Sequence, residues 1–230
     1  MLAALAFAIA MPSGPIFQPS LSTTPIVRKD ETVTLARKLE KGHEYKYTVQ
    51  LAMDMPGQAF EMNMAVTLKC LGEEDGKFPV EGSIVQSGSA SGQKISDQDA
   101  KKFKTFALKQ GLFLDVKDVS EGGETTILAV LGAIPDKPLT VGQPTTYKAK
   151  VKEGQKEQEL TFNVKLLEVV DMGGKRAAKL AVSFDIPDQS GAKMEMTSWV
   201  SVEDGLVIKV EGSASGGPNG QAFKIKMNRA

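Results

Sequence analysis

Apolar residues alternate with polar ones over two consecutive stretches, and this alternation limits the fold more than any other feature of the chain. From Glu44 to Met55 the apolar residues stand mainly at odd positions, and over residues 60–70 they stand at even positions. Successive side chains of a β-strand point to opposite faces, so each stretch is typical of a strand with one buried face. The sequence therefore predicts a sheet with one apolar side.

The change from odd to even positions predicts how the two stretches pair. A two-residue loop at Gly57-Gln58 would join them as an antiparallel hairpin with both apolar sets on one face. In this register Met53 faces Met62, and Met55 faces Phe60. The sequence thus predicts an apolar surface that is rich in methionine.

The landmarks of the first half recur, in the same order, in the second half. We interpret residues 31–230 as one β-rich domain made of two pseudo-repeats, residues 39–130 and 139–230. Residues 135–142 join them. Because proline fixes φ and removes a backbone donor, we interpret this proline-containing segment as a rigid connector. The matched landmarks are Leu39 with Leu139, Gly42 with Gly142, and Tyr47 with Tyr147.

Residues 96–110 carry the signals of a helix. Ser96 followed by Asp99 resembles a capping box, and Gly111 suits the position after a helix end. An apolar stripe runs between them, formed by Ala100, Phe103, Phe106 and Ala107. The predicted fold is mainly β: an internally duplicated, strongly curved antiparallel sheet, a half-barrel or open barrel, with one main α-helix against the concave apolar face.

Composition excludes several function classes. Lys plus Arg and Asp plus Glu both number 28, so no net charge would attract nucleic acid, and we expect no nucleic-acid partner. The lone Cys70 and the lone His43 exclude a site built from several Cys and His ligands. No phosphate-binding glycine loop, nucleophile elbow or zinc spacing occurs. We predict a non-enzymatic protein without a cofactor.

The N-terminus is typical of an exported protein. Residues 1–11 form an apolar, signal-like segment that contains the small-x-small triplet Ala8-Ile9-Ala10, and a buried N-terminal helix is the alternative. Residues 12–30 are rich in Pro, Ser and Thr and are interpreted as a flexible leader. We expect a mature chain without a transmembrane segment, located in the periplasm or outside the cell.

Two motifs carry a family resemblance. The pattern Leu-x-x-Gly-x-x-Tyr-x-Tyr spans residues 39–47, and Pro-x-Lys-Pro-Leu-x-Val-Gly spans residues 135–142. In these motifs the chain resembles exported bacterial families of unknown function, whose folds are similar to the curved half-barrel of the periplasmic lipoprotein carriers. The resemblance implies a concave apolar sheet able to shelter a lipid or another apolar chain. It implies no catalytic residues.

Three functional hypotheses follow. The first is that the concave face binds a lipid-like small molecule or an envelope protein partner. The second is a periplasmic Cu(I) site, since thioethers are soft ligands that suit Cu(I), and its candidates are Met53, Met55, Met62 and Met64. The third is a structural envelope module without a small ligand. The candidate residues for apolar binding are Tyr47, Leu51, Met53, Met55, Phe60, Met62, Met64, Phe103 and Phe106.

Overall fold

Strands dominate the structure. The computed structural model describes residues 31–55, 58–90, 93–95, 100–108, 113–117, 130–132, 134–135, 137–153, 156–185, 192–215 and 222–230. Their strands are β1 (Thr32–Val33), β2 (Glu44–Met55), β3 (Gln58–Cys70), β4 (Lys77–Ala90), β5 (Gln93–Ile95), β6 (Lys101–Leu108), β7 (Phe113–Lys117), β8 (Leu139–Thr140), β9 (Pro144–Glu153), β10 (Lys156–Asp171), β11 (Arg176–Asp185), β12 (Lys193–Ser201), β13 (Val207–Ser215) and β14 (Ala222–Arg229).

Within these residues, ten strands form a large antiparallel sheet that is not closed. Their order is β6-β4-β3-β2-β14-β13-β12-β11-β10-β9. The pairing of β14 with β2 joins strands from the two predicted repeats in one sheet. The prediction of a mainly β fold built on a large antiparallel sheet is confirmed.

The sheet curls until its two ends lie near each other. Strand β7 pairs with β6 in antiparallel fashion and with β9 in parallel fashion. The described parallel pairing is Val116 with Glu153. These two pairings of β7 take the place of a direct ladder between β6 and β9. The curl gives the sheet an inner face and an outer face.

The first hairpin has the predicted faces but a different register. Met53 pairs with Phe60 and Leu51 with Met62, two residues away from the predicted partners. Gln58 already belongs to β3, so the predicted turn at Gly57-Gln58 is wrong. A slip of two residues keeps every apolar side chain on the same face, and hydrophobic alternation alone does not exclude it.

The predicted helix over residues 96–110 is wrong where the structure describes it. Lys101–Leu108 form strand β6, in which Phe103, Thr105 and Ala107 are buried at alternate positions. Residues 96–99 and 109–110 lie outside the described residues. Helical residues are described at 130–132, where Val130 and Leu131 are buried in the core.

The chain before β2 crosses one end of the curled sheet. Strand β1 pairs with β8 in the connector, and Val33 and Leu35 are buried. Ile134, just before the connector, and Leu139 within it are buried in the same core. This end of the sheet is therefore filled by protein.

The predicted repeats share one local geometry. Gly42 and Gly142 both adopt a positive φ, and each amide donates to a strand carbonyl, that of Cys70 at 2.7 Å and that of Leu166 at 2.8 Å. Positive φ favours glycine because it has no Cβ. The duplication itself stays a prediction. The predicted signal-like segment and leader, residues 1–30, lie outside the described residues.

Candidate functional site

The inner face of the sheet is apolar along its length, and most of it is closely packed. We call the part next to β1 and the connector the packed half. Its fully buried side chains include Val49, Ile84, Leu166, Leu180 and Val210. In this half the apolar groups are already removed from water by the protein itself.

At the other end of β14, β2 and β3, five inner-face apolar side chains are half-buried, whereas Phe184 and Met194 at the same end of β11 and β12 are buried. Phe223, Met53 and Phe60 stand side by side across β14, β2 and β3. Leu51 and Met62 form the next row toward the packed half. We call this set, Leu51, Met53, Phe60, Met62 and Phe223, the open patch. It is a contiguous apolar surface that keeps partial contact with solvent.

The structure separates the predicted apolar site residues into groups. Leu51, Met53, Phe60 and Met62 lie together in the open patch. Tyr47 and Met64 are on the same face but belong to the packed half, where each is less than 5% exposed. The side chain of Met55 lies outside the described residues.

The two phenylalanines predicted to come from a helix lie on opposite faces of β6. Phe103 is buried on the inner face, whereas Phe106 alternates with it and faces outward, half-buried. Phe106 pairs with Pro79 of β4, and Phe103 pairs with Gly82. A helix would have placed both on one apolar stripe. Because residues 101–108 form a strand instead, Phe106 is not part of the candidate site.

The register also changes the methionine arrangement on which the copper hypothesis depends. Met53 faces Phe60 and Met62 faces Leu51, so the two methionines are diagonal neighbours rather than direct partners. Met64 is buried, and its sulfur accepts a 3.9 Å contact from Gln86 Nε2. Within the described residues, no group of three or more His, Cys, Asp or Glu side chains is placed to hold a metal ion.

Sequence reasoning missed Phe223, the fifth member of the open patch. Phe223, Ile225 and Met227 alternate in β14 with the exposed lysines Lys224 and Lys226. This alternation was a usable signal. The pairing of the last strand with β2 brings Phe223 beside Met53, although 170 positions separate them in sequence (223 minus 53). Local patterning could not have shown that neighbour.

A buried arginine lies in the packed half. Arg37 is 2% exposed and donates to the carbonyls of Leu108, at 2.9 Å, and Leu131, at 3.2 Å. Burial lowers its pKa to about 10, so the guanidinium stays charged at neutral pH. The enclosed cavity beside it is about 10 Å³, room for about one water molecule. Arg37 thus joins the crossing segment to β6 and to the helical residues, and the cavity holds no larger ligand.

Around this cavity the polar groups are also tied to the fold. Burial raises the pKa of Tyr47 to about 12. The Tyr45 hydroxyl accepts a hydrogen bond from the Glu40 amide at 2.9 Å. Arg229 donates to Asp204 at 2.9 Å, and Asp204 also accepts from the Leu206 amide. These bonds fasten the segment before β2 and the turn before β13 to the packed half.

The outer face carries a shallow groove of about 640 Å³ across β10 to β13. Small side chains, among them Ala181, Ser183 and Thr197, form its floor, and Glu195 and Glu211 stand at one side. Each glutamate pairs with a lysine of its own strand, Lys193 or Lys209. The groove has mixed charge and is open to solvent.

Trp199 lies on the outer face, opposite Met194 and Met196, as the alternation of β12 predicts. The ammonium groups of Lys209 and Lys179 stand over its ring, 4.8 Å and 5.9 Å from the centroid. Each lysine also pairs with a glutamate, Glu211 or Glu168. The aromatic face is therefore occupied by neighbouring side chains rather than free for a ligand.

Comparison with known proteins gives a limited result. No protein-family model matches the chain, and no curated protein matches it. Among solved structures it is similar to an outer membrane lipoprotein-sorting protein domain from Vibrio parahaemolyticus, at 8% sequence identity over 84% of this chain and 85% of that chain, with a TM-score of 0.27. An identity and a TM-score this low leave the function to be argued from the geometry of the chain itself.

Over the described ranges of the chain, no helix has the length and apolar character needed to cross a bilayer.

Proposed function

We propose that this protein is a non-enzymatic exported protein that binds an apolar, lipid-like ligand against the inner face of its curved sheet. The observation that carries this proposal is the open patch. Its five apolar side chains adjoin a fully packed apolar core, yet they stay half-buried. An apolar ligand laid on them would be removed from water on one side by the patch and would extend the existing core.

The chemistry of the patch suits an adaptable ligand site. Met53 and Met62 have flexible, polarisable thioether side chains that repack around ligands of different shape. Phe60 and Phe223 add large apolar areas at either side. Each methylene group that leaves water contributes about 0.8 kcal/mol. Affinity for a homologous series should therefore rise about threefold to fourfold per methylene until the patch is covered.

Displacement of a neutral naphthylamine fluorophore by methyl esters of increasing chain length tests the proposal. Met62→Asp puts a charge on the patch and should weaken binding at least about tenfold, because an unpaired buried carboxylate is costly. Asn63→Asp is the matched control, since Asn63 is exposed on the outer face of the same strand. A wild-type protein that binds neither fluorophore nor ester would refute the proposal.

The two other hypotheses are outcomes of related measurements. Stoichiometric Cu(I) binding without ester binding, detected by native mass spectrometry, would favour the methionine site. Binding of neither would favour a structural envelope module. Export is part of the proposal and is supported by the signal-like residues 1–11. Fusion of residues 1–30 to a reporter that is active only outside the cytoplasm tests it.

A further inference from the structure

One polar side chain interrupts the apolar inner face between the open patch and the packed half. Gln86 of β4 follows Val80 and Ile84 at alternate positions, and both of these are buried. It pairs directly with Met64 of β3, and its Nε2 donates to the Met64 sulfur at 3.9 Å. The side chain of Gln86 therefore points inward, and it is half-buried.

The contact with Met64 uses little of the hydrogen-bonding capacity of Gln86. A thioether sulfur is a weak acceptor, and 3.9 Å is a long contact. The amide carries two N–H donors and a carbonyl acceptor. A polar group on an apolar wall is favourable only when a partner satisfies it, so this amide is suited to a hydrogen-bonding group on a bound molecule.

The position of Gln86 matches that role. Met62, a member of the open patch, pairs with Gly88, two residues further along β4. The ladder of β4 with β6 reaches Ile84, and its ladder with β5 begins at Gly88. Gln86 thus lies between these two ladders, at the edge of the open patch, and one row deeper than Met62.

The surroundings favour a neutral ligand group over a charged one. The open patch consists of Leu, Met and Phe side chains and carries no charge. The buried Arg37 belongs to the packed half and donates to the Leu108 and Leu131 carbonyls. A carboxylate or an ammonium group laid on these five side chains would lose hydration, and none of the five offers it an opposite charge. A neutral carbonyl loses much less, and an amide N–H can satisfy it.

We propose that Gln86 donates a hydrogen bond to an ester or amide carbonyl of the apolar ligand and so selects a neutral acylated molecule over a hydrocarbon or a free fatty acid. This inference rests on the proposed function, because it names the ligand class of the same patch. Gln86 is then the specificity-determining residue of the site.

The test compares three ligands by displacement of the neutral naphthylamine fluorophore: methyl laurate, pentadecane with the same number of heavy atoms, and laurate. The ratio of ester affinity to alkane affinity should be about twofold to twelvefold higher in wild-type protein than in Gln86→Leu, the effect of one hydrogen bond. Wild-type protein should bind laurate more weakly than the ester. Gln86→Leu keeps the approximate size of the side chain and should lower ester binding without weakening alkane binding.

Two further variants make the result specific. Gln86→Glu keeps the shape but removes the amide donors, and it should also lower the ratio of ester to alkane affinity relative to wild type. Gln50→Leu is the control, because Gln50 is exposed on the outer face of β2, and its preference should equal that of the wild type. Urea unfolding of each variant verifies that it is folded.

The possible outcomes separate the inference from the proposed function. An unchanged ratio of ester to alkane affinity in Gln86→Leu, or tighter binding of laurate than of the ester by the wild type, would overturn the role of Gln86 while leaving an apolar site. Binding of none of the three ligands would overturn both.

Discussion

The phenyl ring of Phe103 lies over Gly82, its cross-strand partner in the β4–β6 ladder, and occupies the space in which a β-carbon would stand. An aromatic ring over a strand glycine shields the exposed backbone and supplies the packing that the glycine lacks. The pair fills the inner face at the position where a helix was predicted.

Gly82→Ala should therefore destabilise the protein. Replacing a strand glycine by alanine is favourable where space allows, because glycine loses more conformational freedom on folding. Here the added methyl group would collide with the Phe103 ring, and we expect a loss of about 1–3 kcal/mol in the free energy of unfolding measured with urea. Gly82→Ala combined with Phe103→Leu should recover part of the loss. A stabilised Gly82→Ala variant would contradict the packing.

Gly205 and Gly142 provide a matched pair for the segment before β2. Both have a positive φ, +63° for Gly205 and +84° for Gly142. A β-carbon added at Gly205 would meet the backbone of Ala36, whereas a β-carbon added at Gly142 would have no other atom within 4 Å. Gly142→Ala should cost about 1–2 kcal/mol for the backbone conformation alone. Gly205→Ala should cost more and should speed hydrogen exchange of the Lys38 amide, which donates to the Asp204 carbonyl. Equal costs would refute the close approach.

The carboxylate of Asp204 should make stability depend on pH. Burial alone would raise its pKa, but hydrogen bonds from Arg229, Ser201 and the Leu206 amide outweigh burial, and the pKa of Asp204 lies below its usual value. Because the pKa is lower in the folded state, the ionised carboxylate contributes its full stabilisation above the unfolded-state pKa, about 3.9. This stabilisation is lost as the pH falls through the pKa of the folded state. Asp204→Asn should lose about 1.5–3 kcal/mol at neutral pH, and the difference should shrink at about pH 2.

The control for this prediction is an exposed ion pair. Lys148 and Glu159 approach to 2.7 Å, but their side chains are 64% and 48% exposed. Glu159→Gln should change stability by less than about 1 kcal/mol, because water and salt screen such pairs. Urea unfolding across the pH range measures both variants. A loss in Asp204→Asn that stays constant down to about pH 2 would contradict the assignment.

Replacing Met53 and Met62 together by Leu should separate the apolar site from a copper site. Both side chains are half-buried in the open patch, and a Met-to-Leu exchange conserves volume at a cost below about 1.5 kcal/mol each. Ester binding should stay within a few-fold of wild type, since an apolar surface remains. Loss of Cu(I) binding in this variant, from a wild type that binds it tightly, would instead support the methionine site.

The first hairpin shows what alternation can and cannot predict. The faces of β2 and β3 followed from the sequence, because a one-residue slip would turn every apolar side chain of β3 to solvent. A two-residue slip leaves the faces unchanged. The choice of Phe60 rather than Met62 as the partner of Met53 therefore had no local signal.

The stretch from Lys101 to Leu108 shows a second limit. Together with Ala100, its apolar residues Phe103, Phe106 and Ala107 fit a helical stripe, whereas Phe103, Thr105 and Ala107 fit one face of a strand. Short segments of this kind are ambiguous by periodicity. Pairing with β4 and the fit of Phe103 over Gly82 selected the strand, and both depend on residues that are distant in sequence.

The sequence by itself determined that the chain forms strands, which side of β2, β3 and β12 is apolar, and that Gly42 and Gly142 stand at matching places in the two halves. These features are local, because side chains alternate along any strand and a positive φ favours glycine in any fold. Only the tertiary structure decided that β14 pairs with β2, that residues 31–40 and the connector fill one end of the inner face, and that Phe223 joins the open patch with Gln86 at its edge. Those neighbours depend on the curl of the whole sheet, which no local pattern encodes.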